Sequence, residues 1–220
     1  MAETYTREEF IATYGPYIAR RTKGTGILPG TVVAQAIIES QGKVNGVYKV
    51  GGSTLSKEAN NFFGIKCHGW GGDKYYIDTR EQTAGGQNYI ESGACFRSYN
   101  SVENSIDDYV NFLLTNSNYR NAGVFEADTV YQQAEALKRA GYATDVNYAS
   151  TISKVYDSVS SYVDKYSRYG LTGIWGSFRR DPKAFVKRNK NAFIGVGVLI
   201  VSLTIGIYAL TKYNKNRYVG

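Results

Sequence analysis

The sequence predicts a mainly α-helical body carrying a small β-hairpin lobe, followed by one C-terminal transmembrane helix. Three observations predict this. Apolar residues recur at helical spacing through most of residues 6–166. Two Tyr- and Ile-bearing runs around Gly85-Gly86 alternate along a strand instead. Ala192 to Thr211 is an uncharged run, AFIGVGVLIVSLTIGIYALT, about 30 Å long as a helix and so long enough to cross a bilayer core.

Composition narrows the class. With 43% hydrophobic and 20% charged residues the chain is globular, not disordered or collagen-like. Two Cys and one His supply neither a disulfide scaffold nor a zinc cluster. The net charge of +7 is unevenly spread. Residues 1–166 hold 16 Lys and Arg against 18 Asp and Glu, whereas residues 167–220 hold 10 basic residues and only Asp181. A nucleic-acid-binding domain carries its basic excess on the folded body, and this body has none, so no nucleic-acid partner is expected.

The elements follow in order. Thr6 and Glu9 fit a capping box, with Phe10, Ile11 and Tyr14 behind them at helical spacing. Gly15-Pro16 is expected to break or kink this helix, and Pro16–Arg21 to restart it. Thr31–Ser40 is an apolar helix stopped by Gly42. Residues 43–58 are polar and Gly-containing and read as a loop. Lys74–Glu81 and Tyr89–Tyr99 form the hairpin, with Tyr75, Ile77, Thr79 and Glu81 on one face. Helices are predicted over Ser101–Thr115, Ala127–Ala140 and Asn147–Tyr166, the last burying Ile152, Val155, Val159 and Val163. The domain therefore spans 1–166. A Gly-containing, then basic, linker covers 167–190, the transmembrane helix 191–211, and a basic tail 212–220. Pro182–Lys190 suits a short basic helix on a membrane surface.

Glu39 is the first candidate for chemistry. It ends a helix whose own face carries Val32 and Ala36. A carboxyl among apolar side chains is desolvated and holds its proton to higher pH, as a general acid must. A solvated Glu at a helix end fits the same periodicity. Glu81, at the end of the first hairpin strand, is the second candidate, with Asp78 and Glu91 as competitors. Two carboxyls on facing lobes suit glycoside hydrolysis.

The runs GILPGTVVAQAIIESQGK, NNFFGIKCHGWGG, TREQ, FRSYNSVENSIDDYVNFL and AGYATDVNYAS occur in that order between Phe10 and Tyr166. Together they resemble the autolysin and flagellar-type endo-β-N-acetylglucosaminidases of glycoside hydrolase family 73. The resemblance implies a lysozyme-like α+β fold and cleavage of peptidoglycan glycan strands between N-acetylglucosamine and N-acetylmuramic acid, without metal or cofactor. Position by position it implies Glu39 as the catalytic acid and Glu81, in Thr79-Arg80-Glu81, as the second. It implies Tyr142 and Tyr148 as cleft-lining residues, and Asn61 and Phe63 as substrate-binding ones. For the latter pair a structural task, Phe63 in the core and Asn61 on loop backbone, weighs equally. The chain departs from the family where ES-G-W-G is common: here Glu39-Ser40 continues as Gln41-Gly42-Lys43.

Other readings share these residues. A lytic transglycosylase would use Glu39 alone. A membrane-anchored glycan-binding or structural protein would use neither acid. Cys67 and Cys95 bracket the hairpin and form either one disulfide or two free thiols. Cys67-His68 as a cysteine-protease pair is disfavoured, because adjacent side chains usually point apart. Met1–Phe10 is polar and acidic, unlike a signal peptide. A wall hydrolase with a C-terminal anchor at 191–211 suggests a bacteriophage lysin, held in the internal membrane of a virion or in the host inner membrane, for wall penetration or host lysis.

Overall fold

The computed structural model describes residues 3–82 and 87–167. The chain divides into two units, residues 1–174 and 175–220, and every described residue falls in the first. The predicted linker beyond Ser167, the span at 191–211 and the tail lie outside the described residues. Among the described residues, no helix is long and apolar enough to cross a membrane.

Helix α1 (Arg7–Thr22) starts at the predicted capping box, where Thr6 Oγ1 accepts from Glu9 N and the Glu9 carboxylate accepts from Thr6 N. The expected break at Pro16 does not occur, and one helix runs through it. Proline removes a single bond to the carbonyl four residues back, that of Ala12. Ala12 is exposed, so water can take that place. Phe10, Ile11, Tyr14 and Ile18 bury both halves of the helix on one core.

Helix α2 (Pro29–Ser40) is the central element, packed on α1, α6 (Val130–Arg139) and α7 (Tyr148–Ser167). Residues Gly30 to Ile37 are all buried, as befits a helix apolar on nearly every side. Its end is pinned by Ser40. That hydroxyl donates to Ala36 O and accepts from Gly51 N, and its carbonyl accepts from Ser53 N.

Residues 43–58 are not a plain loop. Strands β1 (Gly42–Val44) and β2 (Val47–Lys49) pair antiparallel, and α3 (Thr54–Ala59) follows, capped by Ser53. The turn is Asn45-Gly46, both at positive φ (50° and 80°), the geometry of a tight type I′ hairpin turn.

The larger hairpin is β3 (Lys74–Gln82) with β4 (Asn88–Arg97). Its register slips between Ile77 and Thr79, so that Ser92 and Gly93 together face Asp78. This β-bulge is held by Asp78 Oδ1, which accepts from Ser92 Oγ (2.8 Å) and Gly93 N (2.7 Å). Tyr75, Ile77 and Thr79 are half-buried and Tyr76 and Asp78 exposed, as the alternation predicts. A Cys67–Cys95 disulfide closes the base of the lobe and decides between the two thiol readings.

Helix α4 (Val102–Thr115) matches its predicted span closely. A short α5 (Ser117–Asn121) and a 3-10 turn at Val124–Glu126 lead to α6. That helix begins three residues later than Ala127, because Thr129 and Gln132 form a capping box of their own. In α7 the expected stripe is on the core, with Ile152, Val159 and Val163 buried and Val155 packed partly against it.

Candidate active site

Glu39 sits on the last turn of α2, part-buried, where the pinned Ser40 fixes the helix end. Its carboxylate lies against the backbone of Gly64. A Cβ built at that glycine would come 3.4 Å from Glu39 Oε2, and the φ of 64° there disfavours any other residue. Gly64 thus presents bare backbone to the acid.

The segment around it, residues 61–65, is held by Asn61, which is completely buried. Its Nδ2 donates to Ile65 O (3.0 Å) and Arg97 O (2.8 Å), and its Oδ1 accepts from Phe63 N and Ile65 N. Phe63 is 1% exposed and stacks on Tyr109 with ring centroids 4.2 Å apart. The substrate-binding role expected of Asn61 and Phe63 is therefore corrected. Both side chains are enclosed by the protein, and what they shape is the loop beneath Glu39.

Tyrosines pack against the segment that faces the acid. The Tyr142 hydroxyl donates to Phe63 O (2.7 Å), and the Tyr142 ring packs near Tyr109, Tyr119 and Tyr148. Burial raises the phenol pKa values of Tyr109, Tyr142 and Tyr148 well above the usual tyrosine range. Neighbouring phenols and the Glu39 charge push each further in the same direction. Tyr142 is partly exposed, whereas Tyr148 is buried with its hydroxyl bonded to Gln35.

The lobe meets this cluster through Arg97. The Arg97 N–H donates to Ile65 O (3.0 Å), and the guanidinium donates to both oxygens of Asp108 on α4 (3.0 and 2.9 Å). Tyr99 donates to the same carboxylate at 2.6 Å. Trp70 and Phe112 rings lie beside the guanidinium, 4.8 and 5.3 Å from its carbon.

Of the hairpin carboxylates, Glu91 pairs with Lys66 Nζ at 2.6 Å. Asp78 holds the bulge, and its bonds from Gly93 N and Ser92 Oγ lower its pKa. Both competitors of Glu81 therefore have structural tasks. The backbone of Glu81 lies in β3 opposite Tyr89, two positions beyond Thr79, and its side chain lies outside the described residues. The structure thus brings together Glu39, Tyr142, Tyr148 and the Phe63 carbonyl.

Sequence reasoning passed over Gln35, Gly64 and Tyr109. Gln35 stands four residues before Glu39 on the same helix face, a spacing that could have marked it. Gly64 and Tyr109 lie inside the runs NNFFGIK and DDYVNFL, but only the tertiary fold shows what they touch.

Comparison with known proteins decides the family. The sequence pattern described as Glucosaminidase, mannosyl-glycoprotein endo-beta-N-acetylglucosaminidase, matches residues 15–161. The chain belongs to the glucosaminidase family. Among its relatives is the peptidoglycan hydrolase FlgJ of Vibrio parahaemolyticus, 33% identical over 155 residues, 70% of this chain and 48% of that protein. FlgJ of Pseudomonas aeruginosa is 36% identical over 157 residues, 70% of this chain and 37% of that one. The exo-glucosaminidase LytG of Bacillus subtilis is 27% identical, covering 80% and 64%. The chain spans about half or less of the length of the two FlgJ proteins. Solved relatives share the fold of the family domain. A peptidoglycan hydrolase mutant from Sphingomonas sp. A1 matches with a TM-score of 0.57 at 25% identity, covering 74% of this chain and 99% of that one. The catalytic domain of the autolysin Auto from Listeria monocytogenes matches with a TM-score of 0.55 at 28% identity, covering 76% and 90%. The fold is accordingly the mixed helical, small-β, lysozyme-like one that the resemblance implied.

Proposed function

We propose that this chain is a glycosidase that hydrolyses peptidoglycan, cutting the glycan strand between N-acetylglucosamine and N-acetylmuramic acid. The observation that carries the reading is the placement of Glu39. A carboxyl at the pinned end of a buried helix lies against the bare backbone of Gly64, next to the Phe63 carbonyl that accepts from Tyr142. Family membership and the names of the relatives support the same substrate. Those names differ on the bond, exo-glucosaminidase for LytG and probable N-acetylmuramidase for a Lactococcus lactis relative; the bond proposed here is the one that the resemblance to glycoside hydrolase family 73 implies.

In this mechanism Glu39 gives its proton to the glycosidic oxygen as the bond to the anomeric carbon breaks. Positive charge develops on the sugar. Glu81 then takes a proton from a water attacking the opposite face. In a second route the substrate's 2-acetamido oxygen bonds to the anomeric carbon, and water opens that ring as Glu39 recovers its proton. Tyr142, the partly exposed ring of the cluster, offers an apolar face to a sugar.

The setting proposed is a bacteriophage lysin anchored by residues 191–211 in a virion membrane or the host inner membrane. The uncharged run supports the anchor. The Cys67–Cys95 disulfide suits an oxidising compartment or a released particle better than reducing cytoplasm. Absence of the protein from purified particles would reject the virion placement, and protease accessibility in spheroplasts reports on the orientation.

Release of reducing ends from purified cell wall tests the chemistry. Glu39→Gln should abolish release with the fold intact. Glu81→Gln should also lower it greatly, whereas a lytic transglycosylase working through Glu39 alone would leave anhydro ends in place of reducing ends and would keep cutting in that variant.

A further inference from the structure

Gln35 is a fully buried amide one helical turn before Glu39. Its Nε2 donates to the Tyr148 hydroxyl at 2.6 Å, and its Oε1 accepts from the Tyr109 hydroxyl. A primary amide has a donor end and an acceptor end. Bridged between two phenols, it forces one hydroxyl to give its hydrogen to the amide and the other to receive one. Whichever way the amide lies, only one of the two phenols keeps its hydrogen for another partner. As oriented here the hydrogen of Tyr109 is spent on Gln35 and that of Tyr148 is kept.

The locations of the two rings give this asymmetry its meaning. Tyr109 is wholly enclosed and stacked under Phe63, with no route to a ligand. Tyr148 packs on the partly exposed Tyr142, and its hydroxyl is bonded to Gln35, one turn before Glu39 on the same helix face. We infer that Gln35 is a positioning residue that makes the Tyr148 hydroxyl a hydrogen-bond donor toward Glu39 and the sugar bound there. The inference rests on the glycosidase reading and adds to it a residue that touches neither substrate nor the reacting atoms. Its consequence is a phenol whose donor direction is set before substrate arrives, so that no reorientation is needed as charge develops on Glu39.

A double-mutant cycle on full-length protein tests this. Gln35→Met keeps the volume and removes both bonds, and Tyr148→Phe removes only the hydroxyl. Each should lower kcat on purified peptidoglycan by about tenfold, the scale of a lost hydrogen bond to a charged group, with KM little changed. The two losses should not multiply: the double variant should stay near tenfold, not about a hundredfold, because Gln35 acts through that hydroxyl. Thermal unfolding of each variant, followed by circular dichroism, limits comparison to folded protein. If Gln35→Met fails to fold, Gln35→Leu serves, because it too removes both bonds with an apolar side chain of similar size. Wild-type kcat in a folded Gln35 variant, or multiplicative losses in the cycle, would overturn the inference. An inactive wild-type protein would instead reject the glycosidase reading beneath it.

Discussion

Replacing Asp108 by Ala removes the group that ties the β lobe to the helical body. The Asp108 carboxylate accepts two bonds from Arg97 and one from Tyr99, and the two charged side chains are only 11% and 15% exposed. Deleting one partner leaves the guanidinium buried and uncompensated, which costs about 3–5 kcal/mol, compared with about 1 kcal/mol or less for an exposed pair. In a domain of this size each kcal/mol moves the unfolding midpoint by about 2–4 °C, so the loss should be about 6–20 °C. Calorimetry or circular dichroism reads the shift. Activity should fall further than stability alone explains, because the backbone of Arg97 bonds to both Asn61 and Ile65 beside Gly64. Replacing both partners together, Arg97→Met with Asp108→Leu, should recover part of the loss by removing the unpaired charge. A shift below about 1 kcal/mol for Asp108→Ala would refute the reasoning, since the pair would then behave as a solvated one.

Other outcomes follow from the same structure. Gly64→Ala should cost about 1–2 kcal/mol through its left-handed backbone, and the added methyl against Glu39 should depress wall hydrolysis in protein that still folds; a fully active variant would contradict the contact. Removing the disulfide by Cys67→Ser and Cys95→Ser opens a loop of sequence separation 28 and should cost about 3–4 kcal/mol by chain entropy, read by denaturant unfolding; an unchanged midpoint would refute this. Burial pushes Tyr119 up to about 12, and Tyr109, Tyr142 and Tyr148 upward in the same sense. A folded pKa above the unfolded one means that stability is fully present below pH of about 10 and is lost as pH rises through the folded values. Phenolate absorbance from these rings should appear together with alkaline unfolding, and their ionisation near pH 10 in folded protein would contradict the burial.

Much of the fold was legible because its signals are local. The Thr6–Glu9 box, the stripe of α7 and the alternation in β3 each depend on residues close in sequence. The miss at residues 43–58 was local too: Asn45-Gly46 is a strong turn signal, but the strands it joins are only three residues each and carry little periodicity. Of the break or kink that Pro16 predicts, the break does not occur, because the tertiary burial of Phe10, Ile11, Tyr14 and Ile18 outweighs one lost bond. At the site, Glu39 stood out through its helix and its neighbours. Gln35, Gly64 and Tyr109 did not, because their importance comes from partners far away in the sequence: Tyr109 for Gln35, and Glu39 for Gly64. Asn61 and Phe63 were marked as important, but a sequence match cannot distinguish a residue that touches sugar from one that builds the floor under the acid.

Mass spectrometry of muropeptides released by wild-type and Glu39→Gln protein tests the central claim most directly. The account predicts fragments ending in reducing N-acetylglucosamine from the wild type and none from a folded Glu39→Gln variant. Anhydro ends, no products from the wild type, or undiminished release by Glu39→Gln would contradict it.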